Sequence, residues 1–252
     1  MEYCAALVDI SPSEQLGGNP SDIKAMGLVF ALTDGKNLDL VGSQYPKQGH
    51  KFQLKKWSSS NHSYKTKFIE HAKELLNSGR LLFGWNISSI STINDIGYKY
   101  WELHMGKIPA PSSLNKKNRP RVKMGNYSVD DIVVPEFEIL IDDLIIIGWY
   151  AEALVNYLEK LIKINESLLT LEILVDRLPN EQGGDLYNKV TLLKELCNRA
   201  SSGLLEIVGI PEKPDALQRD FLVDNVAGLA YDINKNSIYI EASSLFKFNR
   251  IL

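Results

Sequence analysis

The sequence predicts an α/β protein in which a mixed sheet is flanked by helices. Three observations carry this. Short apolar runs with strand character fill the first 45 residues. Apolar residues then recur at helical spacing over 62–77 and 92–105. From residue 168 onward, strand-like and helix-like segments alternate.

Each element has a local reason. Tyr3 to Ile10 is apolar up to Asp9 and stops at Ser11-Pro12, as a buried strand does. Gly17-Gly18-Asn19-Pro20 reads as a loop. Met26 to Leu32 is a second strand, Asp34-Gly35 centres a turn, and Leu38 to Val41 is a third strand joined to the second by a hairpin. His62 to Asn77 places Phe68, Ala72, Leu75 and Leu76 on one helical face and ends at Asn77-Ser78-Gly79. Leu81 to Ile87 reads as a short strand. Thr92 to Met105 carries Ile93, Ile96, Tyr100 and Leu103 at helical spacing. A polar loop covers Gly106 to Asp131. Pro135 then opens a long helix to about Ile164, with Gly148 as a point of interruption.

The last third alternates. Leu168 to Val175 is a buried strand closing on Asp176. Asp185 to Ala200 is an amphipathic helix stopped by Ser201-Ser202-Gly203. Leu204 to Ile210 reads as a strand. A final helix runs from Pro214-Asp215 to about Asp232, and Ser237 to Ile240 as a short closing strand. Leu222, Val226 and Leu229 give that helix its apolar stripe. Ala227 and Gly228 are small enough to let it pack closely on a sheet.

Composition bounds the function. The chain has 252 residues, 28 Lys+Arg and 31 Asp+Glu, for a formal net charge of -3. A chain of this length buries on the order of 70% of its unfolded surface and needs no disulfide or metal to hold it together. Hydrophobic residues make up 44% and charged residues 23%, which excludes a disordered or fibrous protein. The near-neutral balance excludes a protein that coats nucleic acid by bulk charge. Cys4 and Cys197 form neither a disulfide framework nor a zinc spacing, and read as buried thiols in a reducing cytosol. The N-terminus lacks the pattern of a signal peptide, and the longest apolar run, Leu144 to Tyr150, is too short to span a bilayer. A cytoplasmic location with no membrane partner is the expectation.

The element order fits a ribonuclease H type of mixed sheet: a three-strand meander, then α-β-α-β-α. In that arrangement the first strand is central and the fourth lies beside it in parallel. Their ends then share one edge, near the last helix. Asp9 ends the first strand, Asp176 ends the fourth, and Asp224 sits on the last helix. Three converging carboxylates would hold Mg²⁺ or Mn²⁺, since hard cations want oxygen ligands. Two such ions activate a water and stabilise the leaving oxygen of a phosphodiester. Glu70, on the first helix, is the candidate fourth ligand, with Glu74 next.

Leu222-Val223-Asp224-Asn225-Val226-Ala227-Gly228 resembles the leucine–alanine–aspartate–leucine–x–alanine–glycine signature of the last helix in a large prokaryotic family of ribonuclease H-like fold. Members of that family end their first strand in aspartate–glutamate–serine–glycine, where this chain has Asp9-Ile10-Ser11-Pro12. Their late-strand aspartate is matched by Leu174-Val175-Asp176-Arg177. The resemblance implies one ribonuclease H-like domain over residues 1–252, enlarged by a helical and basic-loop insertion at about 80–165. It also implies metal-dependent nuclease chemistry, which the departure at Ile10 puts in question.

Two further features bear on partners. Lys116, Lys117, Arg119, Arg121 and Lys123 form a basic segment without an acidic residue, suited to a DNA or RNA backbone. Lys47, Lys51, Lys55 and Lys56, interleaved with Phe52 and Trp57, form a second. The four histidines show no metal spacing, and neither a G-x-S-x-G nor a phosphate-loop motif occurs. The competing expectation is a catalytically silent ribonuclease H-like module, a binding subunit of a prokaryotic defence assembly. It rests on the missing glutamate and on the apolar stretch 135–164 (Ile139, Leu140, Leu144, Ile145, Ile146, Ile147, Trp149), which could bury a protein partner or a second copy.

Overall fold

The structure is a computed structural model. It describes residues 2–12, 16–31, 46–47, 50–51, 54–77, 81–115, 117–125, 127–129, 132–134, 136–164, 168–175, 185–201, 218–236 and 239–251. The strands are β1 (Glu2–Ser11), β2 (Ile23–Ala31), β3 (Pro46–Lys47), β4 (His50–Lys51), β5 (Leu81–Ser89), β6 (Ser113–Leu114), β7 (Pro120–Met124), β8 (Tyr127–Val129), β9 (Ile132–Val134), β10 (Phe137–Leu140), β11 (Leu168–Val175) and β12 (Phe246–Ile251). The helices are α1 (His62–Asn77), α2 (Ile90–Met105), α3 (Ile141–Ile164), α4 (Asp185–Ala200) and α5 (Gln218–Asn236), with 3₁₀ turns at Trp57–Ser59 and Ile240–Leu245.

The fold is α/β. Its main sheet has five strands in the order β11-β1-β2-β5-β12. β1 pairs with β11 in parallel and with β2 antiparallel; β2 pairs with β5 antiparallel, and β5 with β12 in parallel. Strand alternation sends side chains to two separate cores. Ala6, Val8, Ile10, Met26, Leu28 and Phe30 pack with α2, α3 and α4. Leu7, Ala25, Val29 and Phe83 pack with α1 and α5 on the other side. Three layers result, helices on each face of the sheet.

Several expectations change. The strand next to β2 is Leu81–Ser89, so this segment belongs to the main sheet and not to an insertion, and α1 precedes it. The expected strands Leu38–Val41 and Leu204–Ile210 lie outside the described residues. The long helix begins at Ile141 and not near Pro135, because Phe137–Leu140 pairs with β7. The last strand is Phe246–Ile251, beside β5, where Ser237–Ile240 had been expected.

α3 is apolar around most of its circumference and is buried accordingly. Ile139, Leu140, Leu144, Ile145, Ile146, Ile147 and Trp149 all lie in this chain's own core. These seven residues are therefore not an exposed surface, and they lend no support to the partner contact expected of 135–164. α2 and α3 cross at backbone contact: a Cβ on Gly97 would overlap the Ile145 carbonyl, and one on Gly148 the Gly97 carbonyl. Gly148 thus makes the crossing possible without breaking the helix.

Charges are also buried between the helices. Asp143, in the first turn of α3, accepts from Lys189 of α4 at 2.8 Å, with both side chains almost fully buried. Its second oxygen, Oδ1, is buried without a hydrogen-bond partner among the described residues. Burial raises the Asp143 pKa; Lys189 and then Arg119 pull it back. Lys189→Met is expected to cost about 3 kcal/mol, because it strands a buried carboxylate, and a second change of Asp143→Leu to recover most of it. A double-mutant cycle in urea checks this.

His71 of α1 is buried, and burial lowers its pKa, Glu74 opposing weakly. The unfolded chain, near 6.5, binds a proton more readily than the folded one. Stability is therefore present above pH ~6.5 and is lost as pH falls through the lower folded value. His71→Leu is expected to flatten this part of a stability–pH curve measured by urea melts. Cys197 is buried, and burial raises its pKa, so it is an unreactive thiol. Among the described residues, no helix is long and apolar enough to cross a membrane.

Candidate functional site

The parallel pairing of β1 and β11 sets the frame. Its register runs Ala6–Ile173, Leu7–Leu174 and Val8–Val175. The next residue in each sequence is an aspartate: Asp9, and Asp176, which lies outside the described residues. Alternation puts Asp9 on the side of Leu7, facing the layer of α1 and α5. Asp9 is buried, and its Oδ1 accepts the Ile10 backbone N–H at 2.8 Å. Ile10 itself faces the opposite, apolar layer.

α5 is held against this position by two small residues. Gly27 is the cross-strand partner of Asp9, and a Cβ on it would overlap the backbone N of Ala227. The close packing expected of Ala227 is therefore packing on Gly27. Asp224 precedes Ala227 by three residues, about 4.5 Å along the helix. The fold thus brings the segments bearing Asp9 and Asp224 to one neighbourhood.

Asp224 also has a structural task. Its Oδ2 accepts the Trp57 backbone N–H at 2.6 Å. Asp232, two turns later, accepts the Trp57 indole N–H at 3.0 Å and pairs with Lys65 at 2.8 Å. Gly228, between them, makes room for the indole, which a Cβ there would overlap. The residues of α5 at positions 224, 228 and 232 therefore form one face that clamps Trp57. The Lys65 ammonium lies 4.6 Å from the ring centroid, and Phe68 and Tyr239 meet the ring edge to face. Sequence reasoning missed this clamp, although the i, i+4, i+8 spacing of Asp224, Gly228 and Asp232 was there to be read.

The other sequence candidates fare differently. Glu70 is exposed on α1, whose buried face is Phe68, His71, Ala72 and Leu75. Among the described residues, no group of three or more His, Cys, Asp or Glu gathers to hold a metal, so Glu70 does not join Asp9 and Asp224. Asp9 and Asp224 are hard oxygen donors from two elements, the chemistry Mg²⁺ or Mn²⁺ prefers. Each has an oxygen oriented by a backbone N–H. The donor type is one that a divalent cation accepts; Asp176 lies outside the described residues.

The basic segment is largely neutralised by its own surroundings. Arg119 donates to Asp142, Nε at 2.9 Å. Arg121 lies 3.8 Å from Glu138, and Lys123 3.2 Å from Glu136. The register of β7 with β10, Lys123–Glu138 and Arg121–Leu140, sets basic residues beside the acidic ones. Lys117 is exposed, and Lys116 lies outside the described residues. This is an ion-paired sheet surface more than a bare cationic one.

No protein-family model, curated protein or solved structure matches the chain.

Proposed function

We propose that the chain is a cytoplasmic, metal-dependent nuclease of ribonuclease H-like fold that hydrolyses phosphodiester bonds of DNA or RNA. One observation carries the reading: β1 and β11 are parallel neighbours in a register that ends one residue before an aspartate in each. The strand order supports it. Counting β5, in place of the expected Leu38–Val41, as third and β11 as fourth, the sheet runs third-second-first-fourth with the second strand antiparallel to its neighbours, although α1 between β2 and β5 departs from a plain meander. β12, beside β5, is an addition to that order.

Asp9, Asp176 and Asp224 would hold Mg²⁺ or Mn²⁺. When bound, the ions supply an activated water and charge stabilisation for the leaving oxygen. The chain's own contribution is placement. The Ile10 N–H fixes the Asp9 carboxylate, and the Trp57 N–H fixes that of Asp224. Ile10 in place of the family's glutamate weighs less than its sequence position suggests. Its side chain faces the apolar layer, away from Asp9, so the substitution removes no carboxylate from the side of Asp9.

The test is cleavage of labelled DNA and RNA with Mg²⁺ or Mn²⁺ and with EDTA. Metal-dependent cleavage is expected; none on any substrate with either metal would overturn the proposal. The alternative, a silent binding subunit of a prokaryotic defence complex, keeps one motive, the missing glutamate. Its other motive is weakened by the burial of the α3 residues in the chain's own core.

A further inference from the structure

We propose that Lys55 and Lys56, and not the ion-paired Arg119, Arg121 and Lys123, carry the contact with the substrate's phosphodiester backbone; this rests on the nuclease reading of Asp224. The peptide that bears them is fastened beside that carboxylate. Lys55 is held from both sides of its backbone: its N–H donates to the Tyr64 hydroxyl at 2.7 Å, and its carbonyl accepts from that hydroxyl at 3.1 Å. The same carbonyl accepts from Asn225 Nδ2 at 2.7 Å, and Asn225 adjoins Asp224 on α5. Two residues on, the Trp57 N–H donates to Asp224 itself. Residues 55–57 are thus anchored by α1 and α5 at the flank of a proposed metal ligand.

Lys55 and Lys56 are both exposed, and neither pairs with a carboxylate among the described residues. Arg119, Arg121 and Lys123 each have one. A phosphate attracts a cation that is uncompensated more strongly than one already neutralised, and releases counterions on contact. A fixed backbone with two long, solvated ammonium groups suits a backbone read without regard to base sequence. The placement beside Asp224 gives these lysines a purpose that a net charge of -3 conceals.

The experiment measures binding of the full chain, in EDTA so that nothing is cut, to fluorescein-labelled single-stranded DNA, duplex DNA and single-stranded RNA. Fluorescence anisotropy is followed as salt rises. Lys55→Glu with Lys56→Glu is expected to weaken binding to the preferred probe by about tenfold or more and to make the log–log salt slope shallower by about 2 for duplex and somewhat less for single strands. Arg121→Gln with Lys123→Gln, the control, is expected to change affinity by less than about twofold. Lys55→Ala with Lys56→Ala, smaller changes at exposed positions, repeats the test without charge reversal. Unchanged affinity in both lysine pairs, equal losses in the control, or no binding of the wild-type chain to any probe would overturn the inference. Cleavage distinguishes the two claims. Binding that depends on Lys55 and Lys56 without metal-dependent cleavage sinks the nuclease reading and leaves the two lysines as a nucleic-acid contact. Cleavage that is indifferent to both lysines does the reverse.

Discussion

Asp224→Asn is expected to abolish cleavage while the protein stays folded, and the contrast with Asp224→Leu explains why this is informative. Asparagine keeps a side-chain oxygen that can accept the Trp57 N–H, so the clamp between α5 and the 3₁₀ turn survives. It removes the negative charge that a divalent cation needs. Loss of a group that merely supports a metal ligand costs about 10- to 100-fold in activity. Loss of a ligand is expected to exceed about 100-fold. Leucine removes both the charge and the acceptor. The Trp57 N–H then loses a bond to a charged partner, worth about 1.5–3 kcal/mol. Cleavage assays beside urea melts check both: Asp224→Asn inactive with near-wild-type stability, Asp224→Leu inactive and destabilised. An active Asp224→Asn with a destabilised Asp224→Leu would leave the carboxylate with its clamp and nothing else.

Gly97→Val is expected to unfold the protein or leave it too unstable to purify. The α2–α3 crossing has no room for a Cβ, because the obstacle is the Ile145 carbonyl, part of a helix backbone that cannot turn aside. Overpacking that side chains can relieve costs about 1–3 kcal/mol. Here α2 must separate from α3, which loosens a core containing Ile93, Trp101, Leu144, Ile145 and Trp149. A cost beyond about 3 kcal/mol is a large share of a typical total of 5–15 kcal/mol. Gly148→Ala meets the Gly97 carbonyl from the other side and is expected to behave alike, less severely. Gly125→Ala, where nothing among the described residues lies within 4 Å, is the control and is expected to be neutral or slightly stabilising. Thermal melts of the three variants separate a close crossing from a general intolerance of glycine replacement.

These predictions differ in how far the sequence foreshadows them. Helices with a clean one-sided pattern are legible to the residue: His62–Asn77 and Asp185–Ala200 stand where their apolar spacing and stop signals put them. The start of α3 is not, because Phe137–Leu140 is as apolar as the helix after it. Only a long-range partner, β7, draws it into a strand. The same pairing hides the fate of the basic segment. Glu136, Glu138 and Asp142 follow their partners by 13, 17 and 23 residues, and nothing local says that a sheet returns them to Lys123, Arg121 and Arg119. β12 was readable. Phe246, Lys247, Phe248 and Asn249 alternate as a strand does, a pattern that Arg250 breaks, and periodicity does not name β5 as the neighbour.

The candidate site divides in the same way. Asp9 is legible as a polar residue at the end of an apolar strand, and its side of the sheet follows from alternation. Asp224 is legible from the element order and a short motif, neither of which hints that its carboxylate also grips Trp57. Glu70 was chosen by topology alone. Its helix turns Phe68, His71, Ala72 and Leu75 inward, which leaves Glu70 in solvent. Lys55 and Lys56 are legible as part of a basic cluster with interleaved aromatics, but nothing local says that Tyr64 and Asn225 fix their backbone.

The most direct test of the account is Mn²⁺ binding, measured by titration calorimetry on the wild-type chain and on Asp9→Asn, Asp176→Asn and Asp224→Asn, each confirmed folded by its thermal melt. The account predicts saturable binding to the wild type that is lost or greatly weakened in all three variants. Binding that persists in the three variants, or a wild-type chain that takes up no Mn²⁺, would contradict it.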